Sequence, residues 1–543
     1  MLVFRRQRLR TRAVARNAAR TGFVVIDRRL PVAVSAKRLL RKAFPDHWSF
    51  LLGELALYSF VVLLLTGTWL TLFFDAGTTQ STYRGSYAPL QGLPVSAAYD
   101  STVHISLDVR GGLLIRQLHH WAALIFVAAI AVHMLRIFFT GAFRRPREIN
   151  WMIGVTLFLV TLLEGFCGYS LPDDLLSGTG LRTANTIVMS IPLVGSYLAF
   201  FVWGGPFPGH VLNGRLYILH VLFVPGLLIA LITVHLILVF YLKHTQWSAP
   251  GRTNRNVVGR PLFPHFVAKS TGLFFLVFGV LAVLAATVQI NPVWEYGPYR
   301  ADQVSTGAQP DWYVGFLEGA LRLMPPWETA VAGHTVMWNV LLPAVVLPGV
   351  LFLALYGYPL FERFVTGDRG EHHLCDRPRD RPTRTALGAA GIVWYAVLLA
   401  AGGNDVTAFS FHLSVNALTW LFRVLVVLGP VLAFVVTKRI CLALQSHERR
   451  LLTEGQETGE VVQSVYGALE PRHADVAPER LYRFLVRDLP VPEPAPGPDA
   501  PARRRLRAAL SRWYYGRGVR LPMTPEQRRH VEEALAEPER GTR

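Results

Sequence analysis

The sequence predicts an all-α, polytopic membrane protein, and three observations carry that prediction. Several apolar runs reach or exceed the ~20 residues that cross a bilayer. The 543 residues are 52% hydrophobic and 12% aromatic, with a positive mean hydropathy of +0.32. Basic residues fall in alternate connections between those runs, as membrane topology requires. The net charge of +19 therefore reflects topology and predicts no nucleic-acid partner. The three cysteines, Cys167, Cys375 and Cys441, are scattered and form no CxxC. A disulfide frame, a zinc ribbon and a covalent c-haem motif are unsupported.

Eight spans follow from hydropathy, at approximately 50–74, 113–139, 151–171, 215–241, 269–289, 335–357, 386–402 and 416–437. The seventh is the shortest. Leu181–Gly205 is moderately apolar but broken by Pro192 and Gly195, which predicts short surface helices. Ile290–Glu328, rich in Pro, Trp and Tyr, reads as an ordered loop on the membrane. Hydropathy collapses after residue 440. Leu489–Arg505 reads as a Pro/Ala linker and Thr524–Ala536 as a short exposed helix. The chain thus divides into a basic N-terminal segment (1–49), a four-helix bundle (50–245), a C-terminal membrane part (246–440) and a partly disordered extension (441–543).

The first 49 residues hold 13 Lys/Arg, and connections 140–150, 242–268 and 358–385 carry further clusters, whereas 403–415 has none. This alternation places both termini in the cytoplasm. A mitochondrial presequence is the rival reading of the acid-poor start.

Spans two and four each carry two histidines, His119/His133 and His220/His235. Separations of 14 and 15 residues return to within ~40–60° of one helix face and put the rings roughly 21–22 Å apart. Side by side, the two helices offer one imidazole pair near each membrane surface. Facing neutral imidazoles are the axial ligands of six-coordinate b haem, so the pattern predicts two haems forming an electron path across the membrane. His120 lies off the His133 face and is assigned packing or a polar contact. Gly53/Gly67 in span one and Gly154/Gly168 in span three repeat the 14-residue interval, and glycine admits a flat macrocycle close to the backbone. Arg116, Arg136 and Arg215 are placed to pair with haem propionates.

RQLH…HMLR in span two, WMIG…GYSLP in span three and PDWY at 310–313 together resemble cytochrome b, the haem-bearing subunit of quinol–cytochrome c reductase. The resemblance covers roughly residues 45–440. It implies one haem b on His119/His220 and a second on His133/His235. The 15-residue interval, the PDWY variant and the long C-terminal extension look most like the actinobacterial menaquinol-oxidising form. The resemblance implies a Rieske iron–sulfur subunit, a c-type cytochrome subunit, a dimeric complex, association with a cytochrome c oxidase, and residence among the lipids of a bacterial plasma membrane.

Quinol oxidation releases protons and needs a base. Asp311 takes the place of the family's usual glutamate and is the candidate acceptor, with Glu318, seven residues on and near the same helix face, as a second. Pro310 stiffens the approach, and Trp312 and Tyr313 supply ring faces. Tyr169 and Pro172 are expected on the other wall, although Asp173-Asp174 replace the family's tryptophan–glycine pair. For the inner quinone site, Lys269-Ser270 stands where the family pairs lysine with aspartate, leaving His244, His265 and Lys269 as candidates. The rival classes are a di-haem b anchor of another quinone-linked enzyme, with fewer spans, and a transporter with structural histidines.

Overall fold

The computed structural model describes residues 37–209, 211–249, 251–304, 309–477, 492–516 and 518–519. Most of the basic N-terminal segment and the predicted helix Thr524–Ala536 lie outside the described residues. Eight described helices are long and apolar enough to cross a membrane: α1 (Leu52–Leu70), α3 (Gly112–Thr140), α4 (Glu148–Tyr169), α7 (Leu212–Leu242), α8 (Leu262–Thr287), α10 (Trp338–Thr366), α11 (Pro382–Gly402) and α13 (Val415–Glu454). They match the eight predicted spans in number and order.

Short helices connect them on the surfaces: α2 (Ala97–Leu107), α5 (Leu175–Met189), α6 (Gly195–Trp203), α9 (Gly315–Leu323) and α12 (Asn404–Phe411). α5 and α6 are the predicted broken helices of the third connection. Asp174 starts α5 as its N-cap, accepting from the Leu176 and Ser177 amides at 3.0 and 3.3 Å, which satisfies donors the first turn leaves free. α3 stops at Gly141, whose φ of 63° is a left-handed conformation open to glycine without penalty.

α1 packs on α3 and α4 on α7, while α8 lies against α1 and α3. Between the two histidine levels sits an apolar plug of Ala56, Phe60, Phe126, Ala129, Val224 and Leu228, with Phe60 and Phe126 stacked at 5.3 Å. Phe60, Phe126 and Leu228 lie midway between the paired glycines or histidines of their own helices. In the second half, α11 packs on α13 and on α9. Many outward residues are apolar and bare, such as Leu65, Phe275 and Leu353, as expected of lipid-facing surface.

Two boundaries differ from expectation. α13 runs on to Glu454 rather than ending at 437, because its polar half packs onto the loop carrying Arg377 and Arg379, which pair with Glu448 at 3.2 and 3.1 Å. The segment expected as linker up to Arg505 gives way at Ala502 to a helix, α14 (Ala502–Tyr515). Its Tyr514 is buried and donates to Glu362 at the end of α10. A two-stranded hairpin, Gln456–Gln463 with Leu469–Ala474, lies between α13 and α14 and has no counterpart in the sequence reading.

Candidate functional site

The four histidines meet in pairs. His119 on α3 and His220 on α7 face each other with ring centroids 6.1 Å apart and planes at 83°. That separation fits a metal held about 2 Å from a nitrogen of each ring. The Nδ1 of His119 bonds Thr66 Oγ1 at 2.9 Å, and the Nδ1 of His220 meets Glu164 Oε1 at 2.9 Å. Outer partners of this kind fix a ligand ring and leave Nε2 for the metal. Glu164 was not singled out by the sequence reading, although a carboxylate inside a span is itself a functional signal.

The four predicted glycines lie against these imidazoles. A Cβ on Gly67 would come within 3.1 Å of His119 Cε1, one on Gly53 within 3.1 Å of His133 Cε1, and one on Gly154 within 3.9 Å of His235 Cε1. A Cβ on Gly168 would stand 2.8 Å from His220 Nε2. The glycines therefore seat the ligand rings as well as leaving backbone bare.

The His119/His220 pair, called outer for the face that the arginine asymmetry predicts, opens into a cavity of about 370 Å³. His119 and His220 form part of its lining, Tyr169 and Pro172 another, and Asp311 with Tyr313 close it. Asp311 precedes α9 in a turn and holds two partners. Its Oδ1 lies 3.3 Å from His120 Nε2, and its Oδ2 accepts from the Tyr313 hydroxyl at 3.0 Å. His120 is thus the polar contact anticipated, but its partner is the proposed proton acceptor and both line the cavity. Gly165 makes room for Tyr313, whose Cζ would be 3.0 Å from a Cβ there.

Several placements differ from expectation. Pro310 and Trp312 do not line the cavity; the turn sends neighbours of Asp311 the other way, and the Trp312 carbonyl meets the Tyr395 hydroxyl at 3.5 Å. Glu318 does not share a helix face with Asp311, because α9 begins only at Gly315. It is bound instead by Arg322 Nε at 3.0 Å, and Arg322 also pairs with Asp405 at 2.7 Å. Burial raises the Glu318 carboxyl above the usual range, with Arg322 opposing. Arg215 turns from the cavity to the carbonyls of Phe201 and Val202 and to the Phe201 ring.

Arg116 and Arg136, the expected propionate partners, each line a cavity shared with a histidine pair. Arg116 lines the outer cavity, holds the Asn291 carbonyl at 2.9 Å, and leaves a buried Nε without a partner among the described residues. Arg136 lines an inner cavity of about 110 Å³ with His133, His235, Gly154 and His244. Its guanidinium lies 4.3 Å over the Phe50 ring, and its Nε is likewise buried and unpartnered. Orphaned buried donors call for an acceptor. The His119/His220 rings face each other and His133 with His235 lines one cavity; with the bare glycines and unpartnered guanidinium nitrogens, the residues fit a haem at each level.

His244 packs edge-on to Phe50 at 4.6 Å beside the inner pair, and burial pushes its imidazole down to about 4. Lys269 lies apart from it in a second cluster, paired with Asp46. Next to it, Ser270 donates to Glu54 of α1 and meets the Tyr58 hydroxyl. Asp46 and Glu54, at the start of the first span, thus place carboxylates beside Lys269 and Ser270. Asp173, outside α4, is pushed up to about 6 by burial.

A helical membrane bundle with two histidine pairs between its spans defines the class of membrane b-type cytochromes. Residues 124–298 match the family model described as Cytochrome b(N-terminal)/b6/petB. The chain is 52% identical over 504 residues to the cytochrome bc1 complex cytochrome b subunit of Streptomyces coelicolor, covering 91% of this chain and 92% of that one. It is 50% identical over 457 residues to the corresponding subunit of Mycobacterium tuberculosis, covering 83% and 82%. For that of Corynebacterium diphtheriae the identity is 48%, over 88% and 87%. A solved chain titled Hyperthermophilic respiratory Complex III shares the fold, with a TM-score of 0.58 and 20% identity over 76% of this chain and 98% of that chain. The chain belongs to the cytochrome b subunits of cytochrome bc1 complexes. It is accordingly a haem-b-family subunit of a quinol–cytochrome c reductase and a multi-pass membrane protein. The transporter and dehydrogenase-anchor readings fall with that assignment.

Proposed function

We propose that the outer cavity oxidises quinol, menaquinol in particular, and that the inner face returns an electron to quinone. The observation that carries this reading is the continuity of the outer cavity, in which one hollow is lined by both the His119/His220 pair and the Asp311–Tyr313 turn. A quinol ring held there between Tyr169 and Tyr313 would lie beside a carboxylate and within reach of a ligated group. Asp311 takes a quinol proton, and His120 and Tyr313 hold the carboxylate in place from either side. The apolar plug of Phe60, Phe126 and Leu228 keeps water from the path between the two levels.

His119/His220 and His133/His235 would each hold one b haem, with Arg116 and Arg136 facing the propionates. When bound, the two haems supply one-electron transfer between the faces, the chemistry that lets a quinol divide its electrons between an iron–sulfur partner and an inner quinone. Asp46, Glu54, Tyr58, Lys269 and Ser270 form the polar cluster best suited to deliver protons to that inner quinone, and His244 closes the inner haem level. A Rieske protein and a c-type cytochrome are the partners this chemistry needs, since the described residues hold no iron–sulfur or c-haem motif. The proposed setting is a bacterial plasma membrane with PDWY outside and the termini in the cytoplasm, supported by the arginine asymmetry; dimerisation and a cytochrome c oxidase supercomplex remain implied by the family resemblance.

The test is ligand replacement in the assembled complex. His133→Leu or His235→Leu should abolish the inner haem in reduced-minus-oxidised spectra, and His119→Leu or His220→Leu the outer, while His120→Ala keeps both. Retention of both haems by the His235→Leu protein defeats the assignment.

A further inference from the structure

Of the four candidate ligands, only His220 meets a carboxylate among the described residues. Its Nδ1 lies 2.9 Å from Glu164 Oε1 and 3.3 Å from the Glu164 carbonyl. Glu164 sits on α4 one helical turn before Gly168, the glycine that lies against the same ring. With Nε2 reserved for a metal, Nδ1 carries the ring proton and donates it. Across the pair, His119 has a weaker acceptor. Thr66 Oγ1 stands 2.9 Å from its Nδ1 and gives its own hydrogen to the Val62 carbonyl at 2.7 Å, so a neutral hydroxyl oxygen accepts from His119. At the other level, the Nδ1 atoms of His133 and His235 are buried with no side-chain partner among the described residues.

Glu164 carries a second signal. A carboxylate inside a span is expensive unless something answers its charge. Its ion-pair partner among the described residues is His220, its Oε2 is buried with no hydrogen-bond partner among them, and its side chain lines the outer cavity. The remaining source of positive charge at that spot is the group the two imidazoles would hold, since a ferric b haem bears one positive charge more than a ferrous one. Two effects then act in the same direction. A carboxylate that accepts from Nδ1–H makes Nε2 a stronger donor, and a fixed negative charge in a low dielectric favours the more positive oxidation state. We infer that Glu164 is a positioning residue that strengthens His220 as a ligand and lowers the reduction potential of the outer haem. The difference between the two levels is thereby built into α4 as well as into the histidine-bearing helices α3 and α7. An electron delivered to the outer level passes readily to the inner one, whose ligands lack a charged partner. The inference rests on His119 and His220 holding a haem, as proposed above.

The experiment is a redox titration of the intact complex at one pH, followed by haem absorbance. Glu164→Gln keeps the shape and an acceptor oxygen and removes the charge. It should retain both haems and weaken the ferric-over-ferrous preference of the outer one about tenfold, the lower end of what an outer partner is worth to a metal site. That is a rise in potential of about 59 mV for a one-electron couple, with the inner haem unmoved. Glu164→Asp, which keeps the charge one methylene further back, should show less than half of that rise. An unmoved outer potential in Glu164→Gln, or equal shifts in the Gln and Asp variants, overturns the inference and leaves Glu164 a packing residue. Where Glu164→Gln does not assemble, the unaltered complex decides. With isotope-labelled glutamate, its reduced-minus-oxidised infrared spectrum should contain a glutamate carboxylate band that titrates with the outer haem, and absence of that band overturns the inference. Failure of the haem assignment itself reads differently, as an outer haem that survives His220→Leu.

Discussion

Replacing Asp311 with asparagine isolates the basicity of the outer site. The carboxylate accepts from Tyr313 at 3.0 Å and lies 3.3 Å from His120 Nε2. Asparagine can keep its carbonyl toward Tyr313 and turn its amide toward a neutral His120 Nε2, so both contacts survive. The cost to folding is then within about 1 kcal/mol, the worth of one imperfect neutral hydrogen bond. What is lost is a proton acceptor, which contributes ~10²–10⁴ in rate. Turnover should fall at least about a hundredfold, and the limb of the pH–rate profile that reports ionisation of this base should vanish. Tyr313→Phe, which removes one donor and keeps the base, should cost only about fivefold, the rate equivalent of ~1 kcal/mol. The assay is steady-state cytochrome c reduction by a soluble quinol analogue across pH, with haem spectra confirming assembly. Turnover by Asp311→Asn within twofold of the parent, with an unchanged profile, would refute the reasoning and leave Asp311 a structural residue.

Gly168→Ala should lose or distort the outer haem, because its Cβ would collide with the His220 ring, whereas Gly154→Ala, with 3.9 Å to His235, should leave the inner haem intact; equal spectra for the two variants would contradict this. Asp173 is pushed up to about 6, so the native state holds its proton more tightly than the unfolded chain. Stability therefore falls as pH rises from about 4 through about 6, and at about 1.4 kcal/mol per pH unit the ionised group costs the fold up to about 3 kcal/mol at neutral pH. Asp173→Asn should raise the thermal midpoint at pH 7 and have little effect at pH 4, as read by thermal unfolding of the solubilised complex. Arg384 is fully buried and bonds Glu362 at 2.9 Å and Asp376 at 2.6 Å; Asp376 also pairs with Arg144 and Arg381, so Arg384→Met leaves Glu362 without its cation, should cost about 3 kcal/mol, and should free α14 for limited proteolysis.

The sequence by itself determined the eight spans, the four histidines and the glycines facing them, because run length and helical period are local properties of the chain. It also located PDWY and the Tyr169–Pro172 wall. It did not reveal how the unequal histidine intervals align. α7 contains a π turn at Leu219–Phe223, beginning one residue before His220, and such a turn holds one more residue than an α turn. The 15-residue interval in α7 is thereby brought to the angular offset of the 14-residue interval in α3. Pairings between distant segments were equally hidden. His120 meets Asp311 across 191 residues and Lys269 meets Asp46 across 223, while Glu318 is taken by Arg322 and Arg215 by the α6 carbonyls. Each of these is a choice among several polar groups at the same membrane depth. Side-chain reach and helix packing settle that choice, and neither quantity is written in any single segment of the chain.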